Sequence, residues 1–388
     1  MKHCKRCLAP LEDGEVCGEC VRYADSEAEM RKGLADEWAD FWRENTGKTV
    51  LYAYSGGKDS TAALFCLLRD ARRYGVRVDV FTVETGFKGR RTAENIDRCI
   101  GYFGLQDSFT KIDISDRPFS GGPIDEMFGR PVSVSEAYVS LFEKKIIPCG
   151  KVCNYFLDTV YAGLSERRGV PYILTGGDTP KYNGERFSLY WRKKSGVTIV
   201  RTGAAYGLTK RAAGRIISEN AIPWRDPECG GYDTDCLVPG AVFRAKYAKI
   251  PDIDESFVLN AEPIVFDYVT ERVRHGVIDV DSGRNMLSHI DMASDGSYRE
   301  MVELSRKLRE REKPVYELNR CMNYITKGGE TAVYVCYRLF MFKGVSQKYF
   351  LDTVRAIEGG GRSGFDVPEG FIEYLEEKGI IVRAGGTI

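Results

Sequence analysis

The sequence predicts an α/β fold: a parallel sheet covered by helices, preceded by a metal-stapled segment and followed by a mostly helical region. Three observations carry this. The apolar run Val50–Tyr54 ends in Ser55-Gly56-Gly57-Lys58-Asp59-Ser60, and Thr61–Leu68 continues with helical periodicity. Further β-branched runs alternate with helical patterns as far as Leu174, which is the signature of parallel strands joined by crossover helices. Two Cys-x-x-Cys pairs lie within the first twenty residues.

The chain has 388 residues, 43% of them apolar, enough for two or three domains with full cores. Lys+Arg and Asp+Glu both number 56, so no global charge demands nucleic acid. No run of 18 apolar residues predicts a membrane span, so no membrane insertion is expected. The opening Met1-Lys2-His3-Cys4 has no apolar signal segment. A cytoplasmic, reducing location is the expectation, and there twelve cysteines read as metal ligands or reactive thiols rather than disulfides. The only histidines are His3, His275 and His289. General-base chemistry by histidine is therefore absent from the loop region unless a later one reaches back.

In chain order, Cys4, Cys7, Cys17 and Cys20 have zinc-ribbon spacing. Gly14 and Gly18 are expected to allow the tight knuckles, and the ion would staple a segment too short to hold a core (domain 1–24). Residues 25–47 read as an amphipathic linker helix marked by Leu34, Trp38, Phe41 and Trp42.

The domain 48–240 then opens with strand 49–54 and helix 59–74, followed by strand 76–83, helix 92–103 and strand 108–114. The turn between the first strand and helix offers backbone N–H groups, a helix N-terminus, the Lys58 ammonium and the Ser55 and Ser60 hydroxyls. Those groups suit the cradling of a phosphate chain. Ligands of such sheets sit beyond the carboxyl ends of the strands, where Ser55–Ser60 and Glu84-Thr85-Gly86 both fall.

Residues 115–131 read as loop, 133–146 and 154–168 as helices, and 170–174 as a strand ending in Thr175-Gly176-Gly177-Asp178. Basic residues from Lys181 to Arg215 are interleaved with Tyr182, Phe187, Tyr190 and Trp191. That pattern suits either a phosphate-bearing partner or an ordinary solvated face. Cys149 and Cys153 precede a second pair, Cys229 and Cys236. Should the four converge, they could ligate an iron–sulfur cluster or zinc; otherwise they are small apolar residues. Cys66, Cys99, Cys321 and Cys336 sit in apolar runs and read as core. Residues 241–388 read as a mostly helical C-terminal domain, with helices over 266–273, 298–311, 314–325, 330–342, 347–357 and 371–378. A flexible turn is expected at Gly359–Gly364, and the tail after 371 has the order of a small winged helix.

The six residues Ser55–Ser60 match at every position the Ser-Gly-Gly-x-Asp-Ser signature, and residues 48–240 thereby resemble the PP-loop ATP pyrophosphatases (a HUP-like domain). The resemblance implies that ATP binds through Ser55, Gly56, Gly57, Lys58, Asp59 and Ser60, with adenine against the backbone of Phe81–Val83. It implies that Gly176 and Asp178 help hold ATP and Mg2+, with Asp59 and Asp178 positioning the magnesium. A substrate oxygen would attack the α-phosphate, pyrophosphate would leave, and a nitrogen or sulfur nucleophile would displace the adenylate. The His and paired Asp usual after this strand are missing here.

Two subfamilies join a cysteine ribbon to this loop. The chain resembles the tRNA thiolases, which implies a 4Fe–4S cluster held by Cys149, Cys153 and one of Cys229 or Cys236. That subfamily implies a sulfur donor or carrier protein and a tRNA as partners. Its internal pair is Cys-x2-Cys, whereas the spacing here is Cys-x3-Cys. The opening Cys4-Lys5-Arg6-Cys7 and Gly14–Cys20 equally resembles the N-acetyl sugar amidotransferases, which implies a glutaminase partner supplying ammonia. The extra cysteines favour sulfur transfer. An ATP-binding regulatory module is the non-catalytic alternative, and monomer or homodimer is left open.

Overall fold

The computed structural model describes all residues except 1, 12, 150–151, 183–185, 227–235, 248–262, 288–294, 313–315, 319–321, 336–337, 359–366 and 384–388. Cys229, His289, Cys321, Cys336 and the Gly359–Gly364 turn therefore lie outside the described residues. The chain divides into two compact units, Met1–Val302 and Glu303–Ile388. No helix among the described residues is long and apolar enough to cross a membrane.

The first unit is built on a six-stranded sheet. Its strands are β1 (Thr49–Ala53), β2 (Arg77–Glu84), β3 (Phe109–Asp113), β4 (Tyr172–Thr175), β5 (Tyr190–Arg192) and β6 (Thr198–Arg201). Their spatial order is β5-β6-β4-β1-β2-β3. All neighbours are parallel except β5, which is antiparallel to β6. The chain runs from β1 outward through β2 to β3, then returns to the other side of β1 as β4. The strand order thus reverses between β1 and β4, and a crevice at such a reversal is the expected ligand position in an open parallel sheet.

The faces follow from the period-two alternation of strands. Val50, Tyr52, Val78, Val80, Leu174 and Val200 share one buried cluster with residues of α1 (Gly18–Asn45), α2 (Lys58–Tyr74) and α3 (Arg90–Phe103). Leu34, Trp38, Phe41 and Trp42 of α1 are in that cluster, at 8%, 8%, 0% and 2% exposure. The expected linker helix is therefore part of the core, and its Trp42 stacks on Tyr74 of α2 at 5.2 Å. Phe81 turns to the opposite face, where it meets Tyr161 of α5 (Val152–Arg168). α4 (Val134–Glu143) lies beside α5, with Tyr138 6.1 Å from Phe156.

β5 and β6 form a hairpin that sequence reading passes over, because its charged and aromatic residues look like a binding segment. Lys193 N donates to Val197 O at 2.8 Å, closing the turn. Other helices of this unit include a short one over Pro123–Phe128, α6 (Thr202–Ala205), α7 (Lys210–Glu219), α8 (Leu237–Tyr247), α9 (Pro263–Arg274) and α10 (Val280–Leu287), and a further helix, Asp295–Glu312, begins within it.

The second unit corrects part of the helical expectation. The described residues of 314–325 and 330–342 are strands, not helices: Met322–Lys327, Glu330–Val335 and Arg338–Lys343 form a three-stranded antiparallel sheet. Thr331, Val333 and Val335 are buried on alternate positions, and Gly328-Gly329 supply two consecutive positive φ values of 59° and 80°. A Gly-Gly pair between β-branched and aromatic runs is a strong hairpin signal, and it outweighs the apolar spacing read there as helical. The helices Val345–Glu358 and Glu369–Glu377 agree with expectation, and the final strand Ile381–Arg383 pairs with Tyr316–Leu318.

Candidate functional site

The turn after β1 is held from below by its own strand. Tyr52 Oη donates to Ser60 O at 2.8 Å, and Tyr54 Oη and Thr61 Oγ1 share a hydrogen bond at 2.9 Å. Burial pushes both phenols above their ordinary range, so they stay neutral and serve as struts. Ser55 Oγ accepts from Gly57 N at 3.3 Å, and Thr61 Oγ1 donates to Gly57 O at 2.8 Å. Gly57 is the N-cap of α2 and has no side chain to cap the helix, so the first-turn N–H groups have no side-chain acceptor there.

Gly56 has φ +89°, and a Cβ on it would stand 2.6 Å from Ile96 Cγ1. Any other residue would be both strained and crowded. Its carbonyl accepts from Trp224 Nε1 at 2.9 Å. Trp224 is in turn positioned by Arg225, which exchanges two hydrogen bonds with Asn95 of α3, at 2.7 and 3.0 Å. This brace from residues 224–225 has no sequence signal beyond the presence of the tryptophan.

The second wall comes from the loop after β4. A Cβ on Gly176 would stand 2.5 Å from Ser60 Cα, so this glycine permits the two loops to touch across the strand-order reversal. Behind it, Ala204 N of α6 donates to Gly177 O at 2.8 Å. Asp178 is 5% exposed and faces Arg272 of α9. Arg272 Nε donates to Oδ2 at 3.1 Å; Nη2 lies 3.0 Å from Oδ1 but is not aligned for a hydrogen bond. Oδ1 is thus buried and accepts no hydrogen bond. Asp59 is ion-paired with Lys210 of α7. Both carboxylates expected to position magnesium therefore carry cationic partners, and neither Lys210 nor Arg272 was singled out by its sequence context.

On the other side, β1 ends at Ala53, and Tyr54 N donates to Phe81 O at 2.7 Å. The alternation of the ladder puts Val83 on the same edge of β2, past the end of β1. Phe81 and Val83 thus line the crevice edge on the side away from β4.

The four N-terminal cysteines come together: all four sulfur atoms lie within 4.8 Å of one another. Cys7 Sγ and Cys17 Sγ are 3.6 Å apart, close to the edge of a tetrahedron of Zn–S bonds of about 2.3 Å. Backbone amides support the thiolates, with Cys17 N donating to Cys4 Sγ at 3.3 Å and Cys20 N to Cys17 Sγ at 3.4 Å. The second pair is carried by the start of α1, not by a second knuckle: Cys17 is its N-cap and Gly18 its first residue. Gly14, at φ +86°, turns the chain as expected, whereas Gly18 has an ordinary helical role. Arg274 reaches in from α9, 3.7 Å from Cys7 Sγ, and pairs with Glu19.

Cys149, Cys153 and Cys236 gather around Tyr138 of α4. Cys153 hydrogen-bonds Tyr138, and all three thiols lie within electrostatic reach of its ring hydroxyl. Burial and the neighbouring sulfurs push the Cys149 thiol well up. Cys153 N donates to Pro148 O at 3.0 Å, and Cys236 is bridged to Lys88 just past β2. These three sulfurs do not meet the 4.8 Å spacing that the N-terminal set meets. Cys66 and Cys99 are buried in the core, as expected.

No protein-family model matches the chain. Over 245 residues it is 22% identical to an uncharacterized protein of Methanocaldococcus jannaschii, which covers 61% of this chain and 76% of that protein. Among solved structures it aligns with the U34-tRNA thiolase NcsA from Methanococcus maripaludis, solved with its 4Fe–4S cluster. That alignment spans 75% of this chain and 89% of the other, at 14% identity and a TM-score of 0.37. Likeness of that degree carries no argument about function.

Proposed function

We propose that the protein is an ATP-dependent adenylating transferase that activates an acceptor oxygen and replaces it with sulfur. The observation that carries the first half is the contact of the Ser55–Ser60 turn with Gly176, made where the strand order reverses. The N-terminus of α2 and Lys58 stabilise charge on the departing pyrophosphate. The free edge of β2 at Val83 receives the adenine, which sets the α-phosphate toward Asp178. Oδ1 of Asp178 is a buried carboxylate oxygen with no hydrogen bond, ion-paired with Arg272 Nη2 at 3.0 Å, and a magnesium ion bound there would take the place of that guanidinium as its partner. Asp59 and Asp178 would hold the ion, which would supply positive charge against that of the phosphates. Lys210 and Arg272, ion-paired to the two carboxylates, orient them.

Sulfur is favoured over ammonia by the gathering of Cys149, Cys153 and Cys236 on the face of the sheet that Phe81 shares. Thiolates on different irons of a cluster stand farther apart than thiolates on one ion, which fits the looser spacing of this set. These three would hold an iron–sulfur cluster that supplies a binding point for the transferred sulfur. The acceptor is proposed to be a base of a tRNA, and the sulfur to arrive from a donor or carrier protein.

The test uses ATP labelled at the α-phosphate, magnesium and fractionated cellular RNA under anaerobic conditions. Labelled AMP, formed only with the acceptor fraction and abolished by Lys58→Ala, is the expected result. ADP as the product would overturn the adenylation reading.

A further inference from the structure

Beyond β4, on the side of the crevice away from Val83, the hairpin β5–β6 brings cations around one indole. Lys193 Nζ lies 3.5 Å from the centre of the Trp191 ring, Lys181 Nζ 5.5 Å and Arg201 Cζ 5.9 Å. The backbone dictates this grouping. Trp191 pairs with Ile199 across the ladder, and both are offset by two residues from Lys193 and Arg201, so all point to the face covered by α5.

The charges do not balance. Lys193 pairs with Asp158 of α5 at 3.2 Å, Lys181 with Glu271 of α9 at 2.6 Å, and Arg272 with Asp178. Among the described residues Arg201 has no ion pair; its Nη2 donates to Thr179 Oγ1 at 3.2 Å, and its Nε is buried with no partner. Among the described residues, four cations thus face three carboxylates in a largely buried place. Desolvation and mutual repulsion lower the pKa values of Lys181, Lys193 and Arg201. A guanidinium with carboxylates only at a distance and an orphaned N–H is stabilised by an anion.

The location relates this cluster to the chemistry. A Cβ on Gly177 would stand 2.9 Å from Arg201 Nε, so Arg201 lies directly against the Gly176–Asp178 loop. At its other end, Asp158 is an electrostatic neighbour of Cys153. Lys181 also opens onto a cavity of about 660 Å³ lined by Tyr182, Phe187, Glu271 and His275, a volume within the range of small-molecule sites.

We propose that Lys181, Lys193 and Arg201, set around Trp191, form a subsite for a phosphate group of the acceptor. The position rests on the adenylation reading, since it places the acceptor between the Asp178 loop and Cys153. The chemistry recognised is a phosphate ester, whether on a free nucleotide or in a polynucleotide backbone.

The test is calorimetric titration of the full chain, saturated with the non-hydrolysable adenosine 5′-(α,β-methylene)triphosphate. The probes are uridine, uridine 5′-monophosphate and a ten-nucleotide oligouridylate. A phosphorylated probe is expected to bind about tenfold or more tightly than uridine, the size of one charge-assisted contact. Lys193→Gln and Arg201→Gln should each remove most of that preference, Lys193→Arg should restore it, and affinity for the ATP analogue should stay unchanged. Preference for the monophosphate points to a free nucleotide; preference for the oligonucleotide, with a steep salt dependence, points to a polynucleotide. Equal binding of all three probes would overturn the subsite, as would undiminished preference in Lys181→Gln and Lys193→Gln. Because the analogue cannot turn over, this outcome is independent of whether the enzyme forms AMP.

Discussion

The two cysteine sets differ in how they are closed. Cys4, Cys7 and Cys20 are buried, their set has all its sulfurs within 4.8 Å, and backbone amides donate to two of its thiols. Cys149, Cys153 and Cys236 are each partly exposed, wider apart, and bordered by Tyr138 and the Asp158–Lys193 pair. A closed tetrahedral set has no position for a substrate, and metal binding there contributes to folding. A wider, partly open set beside a charged cleft has room for chemistry. Under the proposed function one chain uses cysteine in two ways, and the environment of each set separates them where spacing in the sequence does not.

Substitutions should separate the sets in the same way. Cys153→Ala is expected to abolish transfer while leaving ATP binding and thermal stability near wild type, measured by product analysis, titration and calorimetry. Cys17→Ser is expected to do the reverse: the zinc is lost and the melting temperature falls, because the ion staples the start of α1. Full stability after loss of Cys17 would break the comparison. Gly176→Ala forces a Cβ against Ser60 at 2.5 Å; displacing the phosphate turn by a fraction of an ångström should lower the rate of AMP formation by up to about 10²-fold, with both cysteine sets still loaded. Trp224→Phe removes the hydrogen bond to Gly56 O and should cost about 1 kcal/mol in stability, read by denaturant unfolding.

A smaller effect concerns pH. His275, packed between Tyr23 and Phe187 at 4.8 and 5.2 Å, is held by burial at a pKa of about 4, below its ordinary 6.5. The unfolded chain binds the proton first, so this residue costs the native state stability as pH falls from 6.5 towards 4. His275→Phe should flatten unfolding free energy across that window, measured against wild type.

Much of the first unit was legible because its signals are local. The glycine turn at Ser55–Ser60, the alternation in Arg77–Glu84 and the pairs Cys4/Cys7 and Cys17/Cys20 each state their role within a dozen residues. The partners that complete the site are distant: Lys210 on Asp59, Arg272 on Asp178 and Trp224 on Gly56 are joined across 151, 94 and 168 residues. Such pairings are decided by the packing of α7, of the segment after it and of α9, which no periodicity records. The hairpin around Gly328-Gly329 differs: its turn chemistry is local, but the apolar spacing of the flanking runs also fits a helix. The Trp191 cluster lies in a segment whose basic and aromatic composition is visible in the sequence, while its geometry depends on the register of β5 against β6.

The contrast between the cysteine sets is tested most directly by the metal content of the anaerobically purified full chain, with zinc, iron and acid-labile sulfide counted per polypeptide. The account predicts about one zinc with about four irons and matching sulfide, the iron lost and the zinc retained in Cys153→Ala. Zinc alone, with strict exclusion of oxygen, would contradict it.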